Sequence, residues 1–410
     1  MAIVATEPSA ARRLFAERDF ILNIGSRFIN MFVIGMQTVS IGWTVYQITG
    51  NAMDLGFVGL SQFAPMLLFF LPAGWVADRF DRRLVLACCY LIEAVGGFIL
   101  YALMSLDVSA VWPIFLTLSI FGTARAFSQP ASQALVPNLV PRDIYPTAVA
   151  WNTAAGKLAG IVGPASGGLL FAAIGPHVFL VTGIMFILPV IMTFAMRARL
   201  RIPSKGLSGL SGVLAGFDYI LKKPIVLGAI SLDLFAVIFA GLPAMLPIFA
   251  RDILDVGAEG LGFMRAAPAI GAALTAILLT QMGTLRRSGI ILFITVTIYG
   301  ASILTFGFST WFPLSLAALL TLGASDMVSV YIRQTLVYIR TPDEMRGRVS
   351  SVNSVSVNAS NELGDFRAGM MAAWIGAVPT VVVGGIVTLT VCVLWAKFFP
   401  DLRRADRLDE

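Results

Sequence analysis

Ten ionisable side chains stand inside stretches of sequence that are otherwise almost free of charge. The basic ones are Arg27, Arg125, Lys157, Arg265 and Arg367, and the acidic ones are Glu93, Asp233, Asp326, Glu362 and Asp365. A carboxyl group can take up and release a proton, and an arginine beside it favours the ionised form, so such pairs are suited to proton-linked switching. The same pairs can equally do no more than hold helices together. At the centre of an apolar helix each charge costs at least about 2.5 kcal/mol, which is why each needs a partner. Neutral polar residues add direction. Asn23, Arg27, Asn30 and Gln37 recur at i, i+4, i+7 and i+14, an arc of roughly 80° on a helix. Ser354, Asn358, Asn361 and Asp365, with Glu362 beside them, form a second stripe.

The elements that carry these residues follow from composition. The chain of 410 residues is 58% hydrophobic and 13% charged, and its mean hydropathy is +0.85. That leaves too little polar surface for a soluble enzyme, too much apolar sequence for a disordered chain, and, with only Cys88, Cys89 and Cys392, no disulfide scaffold. The net charge of +6 comes without a clustered, aromatic-lined basic face, so no nucleic-acid partner is implied. The one histidine, His177, reads as a surface residue, no Cys/His/Asp cluster has metal-ligand spacing, and no phosphate-binding loop is present. No cofactor, no metal and no enzyme activity are expected. No cleavable signal peptide is evident in the first 19 residues.

Twelve runs are long enough to cross a bilayer: 20–48, 54–77, 84–106, 110–131, 145–173, 177–196, 225–250, 260–282, 289–308, 311–334, 349–373 and 375–397. They do not alternate in polarity as barrel strands do. Of the 29 Lys and Arg, 23 fall in the tails and even-numbered connections, counting Arg333 with Arg340, Arg346 and Arg348, and one, Arg251, falls on the other side. Positive charge is retained in cytoplasmic loops, so both termini are expected in the cytoplasm.

The longest connection divides the spans six and six. The expected organisation is a cytoplasmic tail (1–19), a six-helix bundle (20–196), a cytoplasmic linker (197–224), a second bundle (225–397) and a tail (398–410). In the linker, Leu210, Val213, Leu214, Phe217 and Leu221 have the spacing of an amphipathic surface helix. A shift of about 201 residues places Pro141 on Pro342, Asp143 on Glu344, Asn152 on Asn353, Gly163 on Gly364 and Gly168 on Gly369. Two copies of one bundle, with a site between them, describe a secondary transporter.

The first connection, Gly74-Trp-Val-Ala-Asp78-Arg79-Phe-Asp81-Arg82-Arg83, resembles the loop 2-3 signature of the major facilitator superfamily, although Asp81 replaces the usual second glycine. Gly74 is expected to allow close helix approach, and Asp78, Arg79, Arg82 and Arg83 to form a gating loop. The run from Gly160 through Gly163 and Pro164 to Gly167 and Gly168 is similar to the antiporter motif of exporters in that superfamily, and its small residues suit close packing. Ser40 to Gly50, Val136 to Pro141, Asn361 to Gly369 and Phe399 to Arg404 resemble the branch of transmembrane secretion effectors.

The resemblance implies an all-α membrane protein with twelve transmembrane helices in two pseudo-symmetric bundles. It further implies export of small amphipathic molecules, siderophore-like or drug-like, by proton antiport and alternating access from the plasma (inner) membrane. The third, sixth, ninth and twelfth helices would lie outside the path, which sets Glu93 aside. Arg27 and Asp233, at similar depth in the first helix of each half, are expected to meet across the cavity, with Arg125 and Asp326 facing it. Asn30, Gln37, Glu362 and Asp365 complete the cavity set. The expected partners are cargo, protons and lipid, with the protein acting as a monomer. A lysophospholipid-type flippase and a non-transporting membrane receptor or assembly partner are the alternatives.

Overall fold

A computed structural model describes residues 10–106, 110–197, 210–281 and 287–404. The two chain ends, most of the linker before Leu210, and Arg286 lie outside the described residues, as do the charges expected on them. Among the described residues every regular element is helical, as a bilayer requires of chains whose backbone groups must be satisfied internally. Eight segments are long and apolar enough to cross a membrane, one of which, Arg142–Ala195, holds two spans. With the broken second span and the more polar fourth and eleventh, the count is twelve.

The first half contains α1 (Arg18–Thr49), α2 (Ala52–Leu68 and Phe70–Arg79), α3 (Arg82–Ser105), α4 (Trp112–Leu135), α5 (Tyr145–Ile174) and α6 (Val178–Ala195). The second contains α7 (Pro224–Ala240 and Leu242–Ile248), α8 (Gly257–Gln281), α9 (Ser288–Phe308), α10 (Phe312–Ile339), α11 (Asp343–Ile375) and α12 (Ala377–Phe398). The linker helix, Leu210–Lys222, docks through buried Ile220 on Val226 and Ile230 of α7 and on Val349 and Val352 of α11. Its Leu214, Phe217 and Leu221 stay exposed.

Two helices break where a proline removes a donor. In α7, Pro243 cannot bond the carbonyl of Phe239, and Gly241 takes the left-handed backbone at φ 50° that lets the chain restart as a helix. In α2 the break is at Phe69, just before Pro72.

Contacts divide the chain into two compact units. One holds 1–37, 64–163 and 174–206, and the other holds 38–63, 164–173 and everything from 207 onward. The second unit thus contains the C-terminal parts of α1 and α5 and the N-terminal part of α2.

The internal repeat is visible in backbone and packing. Pro141 and Pro342 have nearly the same conformation, φ −55°, ψ 149° and φ −57°, ψ 150°, each leading into the fifth helix of its half. Gly163 lies where a Cβ would be 3.3 Å from the Cα of Gly35 in α1, and Gly364 where one would be 2.9 Å from the Val237 carbonyl of α7. Gly168 meets Gly262 of α8, and Gly369 meets Gly56 of α2, each with room for no side chain at 2.8 Å.

Candidate functional site

Within the second unit, α7, α10 and α11 enclose a cavity of about 180 Å³. Its polar lining is Asp233, Asp326, Arg333, Gln334, Asn353 and Asn361. Arg333 Nη1 bonds Asp233 Oδ2 at 2.6 Å, and the two side chains are only 9% and 10% exposed. Its Nε donates to Ser329 Oγ at 3.2 Å, which fixes the guanidinium one turn along α10. Asp326 precedes Arg333 by seven residues and so shares its helix face. Asp326 also borders a smaller space with Asp233, Ser329 and Tyr299 of α9.

The arginine corrects one expectation. Asp233 is held by Arg333, which the count of loop charges had placed with the following connection, because α10 runs to Ile339 and carries Arg333 inside the helix. In the first unit, the charge of Arg27 lies close enough to be felt at Tyr90 of α3. The i, i+7 spacing from Asp326 was the available signal for Arg333.

A second group surrounds the break in α7. Arg367 of α11 donates from Nε to the Ile238 carbonyl at 3.0 Å and from Nη2 to the Phe239 carbonyl at 2.7 Å. Phe239 is the carbonyl that Pro243 leaves without a donor, so this charge repairs the helix. Asp365 accepts from the Ala244 amide at 3.4 Å, at the start of the resumed helix, where a carboxylate is favoured. Arg265 of α8 lies in the field of Asp365 and Glu362, yet its buried Nε has no hydrogen-bond partner among the described residues. Gly59 makes room for Glu362, whose Oε2 would be 2.8 Å from a Cβ there.

At the far end of the same unit, the Tyr46 hydroxyl donates to Asp252. Arg251 donates to the Tyr46 carbonyl at 3.0 Å and lies with its guanidinium 5.3 Å from the Tyr46 ring centre. The lone basic residue expected on that side therefore joins α1 to the π-helical turn Phe249–Ile253 that ends α7.

In the first unit the polar stripe of α1 turns inward. Asn23, Asn30 and Gln37 are 2%, 9% and 1% exposed. Gln37 donates to Thr182 of α6 at 3.2 Å, so it ties two helices of one half. Arg125 Nε bonds Glu93 Oε1 at 3.3 Å, which gives a partner to the acid that the sequence had set aside.

Asp81 caps α3, accepting from the Arg83 amide at 3.0 Å and from Arg83 Nη2 at 3.2 Å. Arg83 also donates to the carbonyl of Met196 at the end of α6, Arg82 Nε donates to the Ala77 carbonyl at 3.3 Å, and Arg79 stacks over Trp75 at 4.5 Å. The Asp78 side chain lies outside the described residues. Gly74 is corrected: a Cβ there would meet nothing within 4 Å among the described residues, so no close approach depends on it. The same holds for Gly160 in the antiporter-like run, whereas Gly163 and Gly168 do pack backbone to backbone, and Gly167 is buried. Pro164 sits inside α5 without ending it.

Comparison with known proteins settles the family. The sequence profile of the transmembrane secretion effectors matches residues 20–410. The chain belongs to the transmembrane secretion effectors. Secretion effectors of curated name are also similar over almost all of the chain: the enterobactin exporters of Shigella boydii serotype 18 and of Escherichia coli O1:K1 are each 25% identical over 385 residues, covering 92% of this chain and 91% of theirs. Among solved structures, the nucleoside transporter NupG superposes with a TM-score of 0.68 at 14% identity, over 93% of this chain and 99% of its own. A bacterial homologue of the lysosomal transporter Spinster, inward-facing and occupied, gives 0.71 at 13%, over 94% and 96%. This secretion effector therefore has the major facilitator fold of a multi-pass membrane transporter, and it is not an enzyme.

Proposed function

We propose that this secretion effector exports small amphipathic molecules, siderophore-like or drug-like, across the plasma (inner) membrane by proton antiport and alternating access, with both termini in the cytoplasm. The observation that carries the reading is the Asp233–Arg333 bond on the wall of the α7–α10–α11 cavity. A carboxylate so placed can be released from its arginine by one proton and recaptured when the proton leaves, which couples cavity occupancy to helix–helix attachment. Asp326 lines the same cavity, and Glu362 and Asp365 are further carboxyls of the same half. Each proton entering would bring about 2.3 kcal/mol per 100 mV of membrane potential. The enterobactin exporters among the relatives support a siderophore-like cargo, and the positive loops support the orientation.

The test uses purified protein in liposomes with enterobactin and a lipophilic cationic dye as probes. Transport of at least one probe is expected to follow an imposed proton gradient and to stop when a protonophore collapses it. Transport that continues undiminished without the gradient refutes antiport, and gradient-independent movement of lysophospholipid in the same vesicles would favour a flippase.

A further inference from the structure

We propose that Glu93 is a proton-binding residue of the first half, its Oε2 carrying the proton at the level of Asn30. Glu93 is 2% exposed and sits in the middle of α3. Its Oε1 accepts from Arg125 Nε at 3.3 Å. Its Oε2 is buried with no hydrogen-bond partner among the described residues. An ionised carboxylate offers only acceptors, and a buried acceptor left unmet is costly.

Asn30 Oδ1 is a second buried acceptor without a donor among the described residues. The packing of α1 on α3 places the two residues at one height. Arg27 acts on Tyr90, Val33 packs with Ala94 and with Phe186 of α6, and the Gln37 amide lies 3.4 Å from where a Gly97 Cβ would be. Asn30 falls between the first two of these steps, as does Glu93. Two acceptors cannot satisfy one another, but a proton on Oε2 turns one of them into a donor.

The groups that face Glu93 suit a single exchangeable proton. Arg125 of α4 is the charge that compensates the ionised form, and Tyr90 and Cys89 lie one turn back on α3. Arg27 is the charge contributed by α1. From α6, Phe186 packs at this layer and does not titrate. On release the O–H bond breaks, its electron pair stays on Oε2, the proton passes to water, and Arg125 alone holds the anion. Glu93 would thus give the first half a proton site to match the carboxyls of the second, which deepens the antiport reading and rests on it for its purpose.

Protonation itself is measured without transport. The full-length protein in lipid nanodiscs is titrated while the infrared bands of protonated carboxyls are recorded, for the wild type, Glu93→Gln and Asn30→Ala. Glutamine keeps an oxygen toward Arg125, so folding is expected to survive. One titrating band should vanish in Glu93→Gln and move in frequency in Asn30→Ala. Identical carboxyl bands in the wild type and Glu93→Gln at every pH overturn the proposal. If Glu93→Gln fails to fold, Glu93→Asp takes its place: a band of altered frequency supports the proposal and an unaltered set overturns it. Export that survives a protonophore, together with a band lost in Glu93→Gln, sinks antiport and leaves the Glu93 site standing. Carboxyl bands unchanged in Glu93→Gln, together with gradient-driven export, do the reverse.

Discussion

Replacing Arg333 by Met removes the partner of a carboxylate that is only 10% exposed, and replacing Asp233 by Asn removes the partner of a guanidinium that is 9% exposed. Breaking a buried pair by deleting one member costs about 3 to 5 kcal/mol, because the surviving charge is left uncompensated. The cavity beside the pair lets the survivor be partly solvated, and Ser329 still holds Arg333, so the lower end applies. The expected loss is about 3 kcal/mol for either single change, roughly 150-fold in the folding equilibrium. The double variant, Asp233→Asn with Arg333→Met, leaves no charge behind and should recover more than half of that loss. Unfolding in mixed micelles titrated with dodecyl sulfate gives the four free energies of the cycle. A double variant as unstable as the sum of the two single ones would refute the pairing, since independent residues add.

Three further outcomes are expected. Gly262→Val places a side chain where a Cβ would be 2.8 Å from the Pro164 carbonyl and 3.0 Å from the Gly168 Cα, and backbone on both sides cannot yield. The expected cost is about 1 to 3 kcal/mol in the same unfolding assay, with liposome transport abolished. Asp81→Ala should destabilise by about 1 kcal/mol through the lost cap on α3, whereas Asp81→Gly, the superfamily's own residue, should cost only a few tenths, as read from thermal midpoints in detergent. Tyr46→Phe removes the hydroxyl that bonds Asp252, and hydrogen exchange at Phe249–Ile253 should accelerate by about tenfold at most, the worth of one hydrogen bond.

The twelve helices were legible because hydropathy is a property of the sequence alone, and the repeat survived as Pro141 and Pro342, whose restricted φ fixes the same entry into two equivalent helices. Side-chain partners were less legible. Arg333 was counted with the loop charges because it stands at the very end of its apolar run, and its burial depends on α7 lying alongside. Glu93 was set aside for its position on a peripheral helix, yet its bond runs to the neighbouring α4. Gln37 was legible as part of a polar stripe, but its partner Thr182 lies on α6, 145 residues away, and only packing brings the two together. Arg367 could have been understood from sequence only by knowing that Pro243, more than a hundred residues earlier, leaves a carbonyl for it to satisfy. Gly163 and Gly160 look alike in the motif and differ only in what stands opposite them.

The coupling of cargo to proton is tested most directly by adding enterobactin, and separately the lipophilic dye, to weakly buffered protein in detergent and following pH with a soluble indicator. Wild-type protein is expected to release protons on binding its cargo, and Asp233→Asn to release fewer while still binding. Cargo binding with no proton release from the wild type would contradict proton antiport.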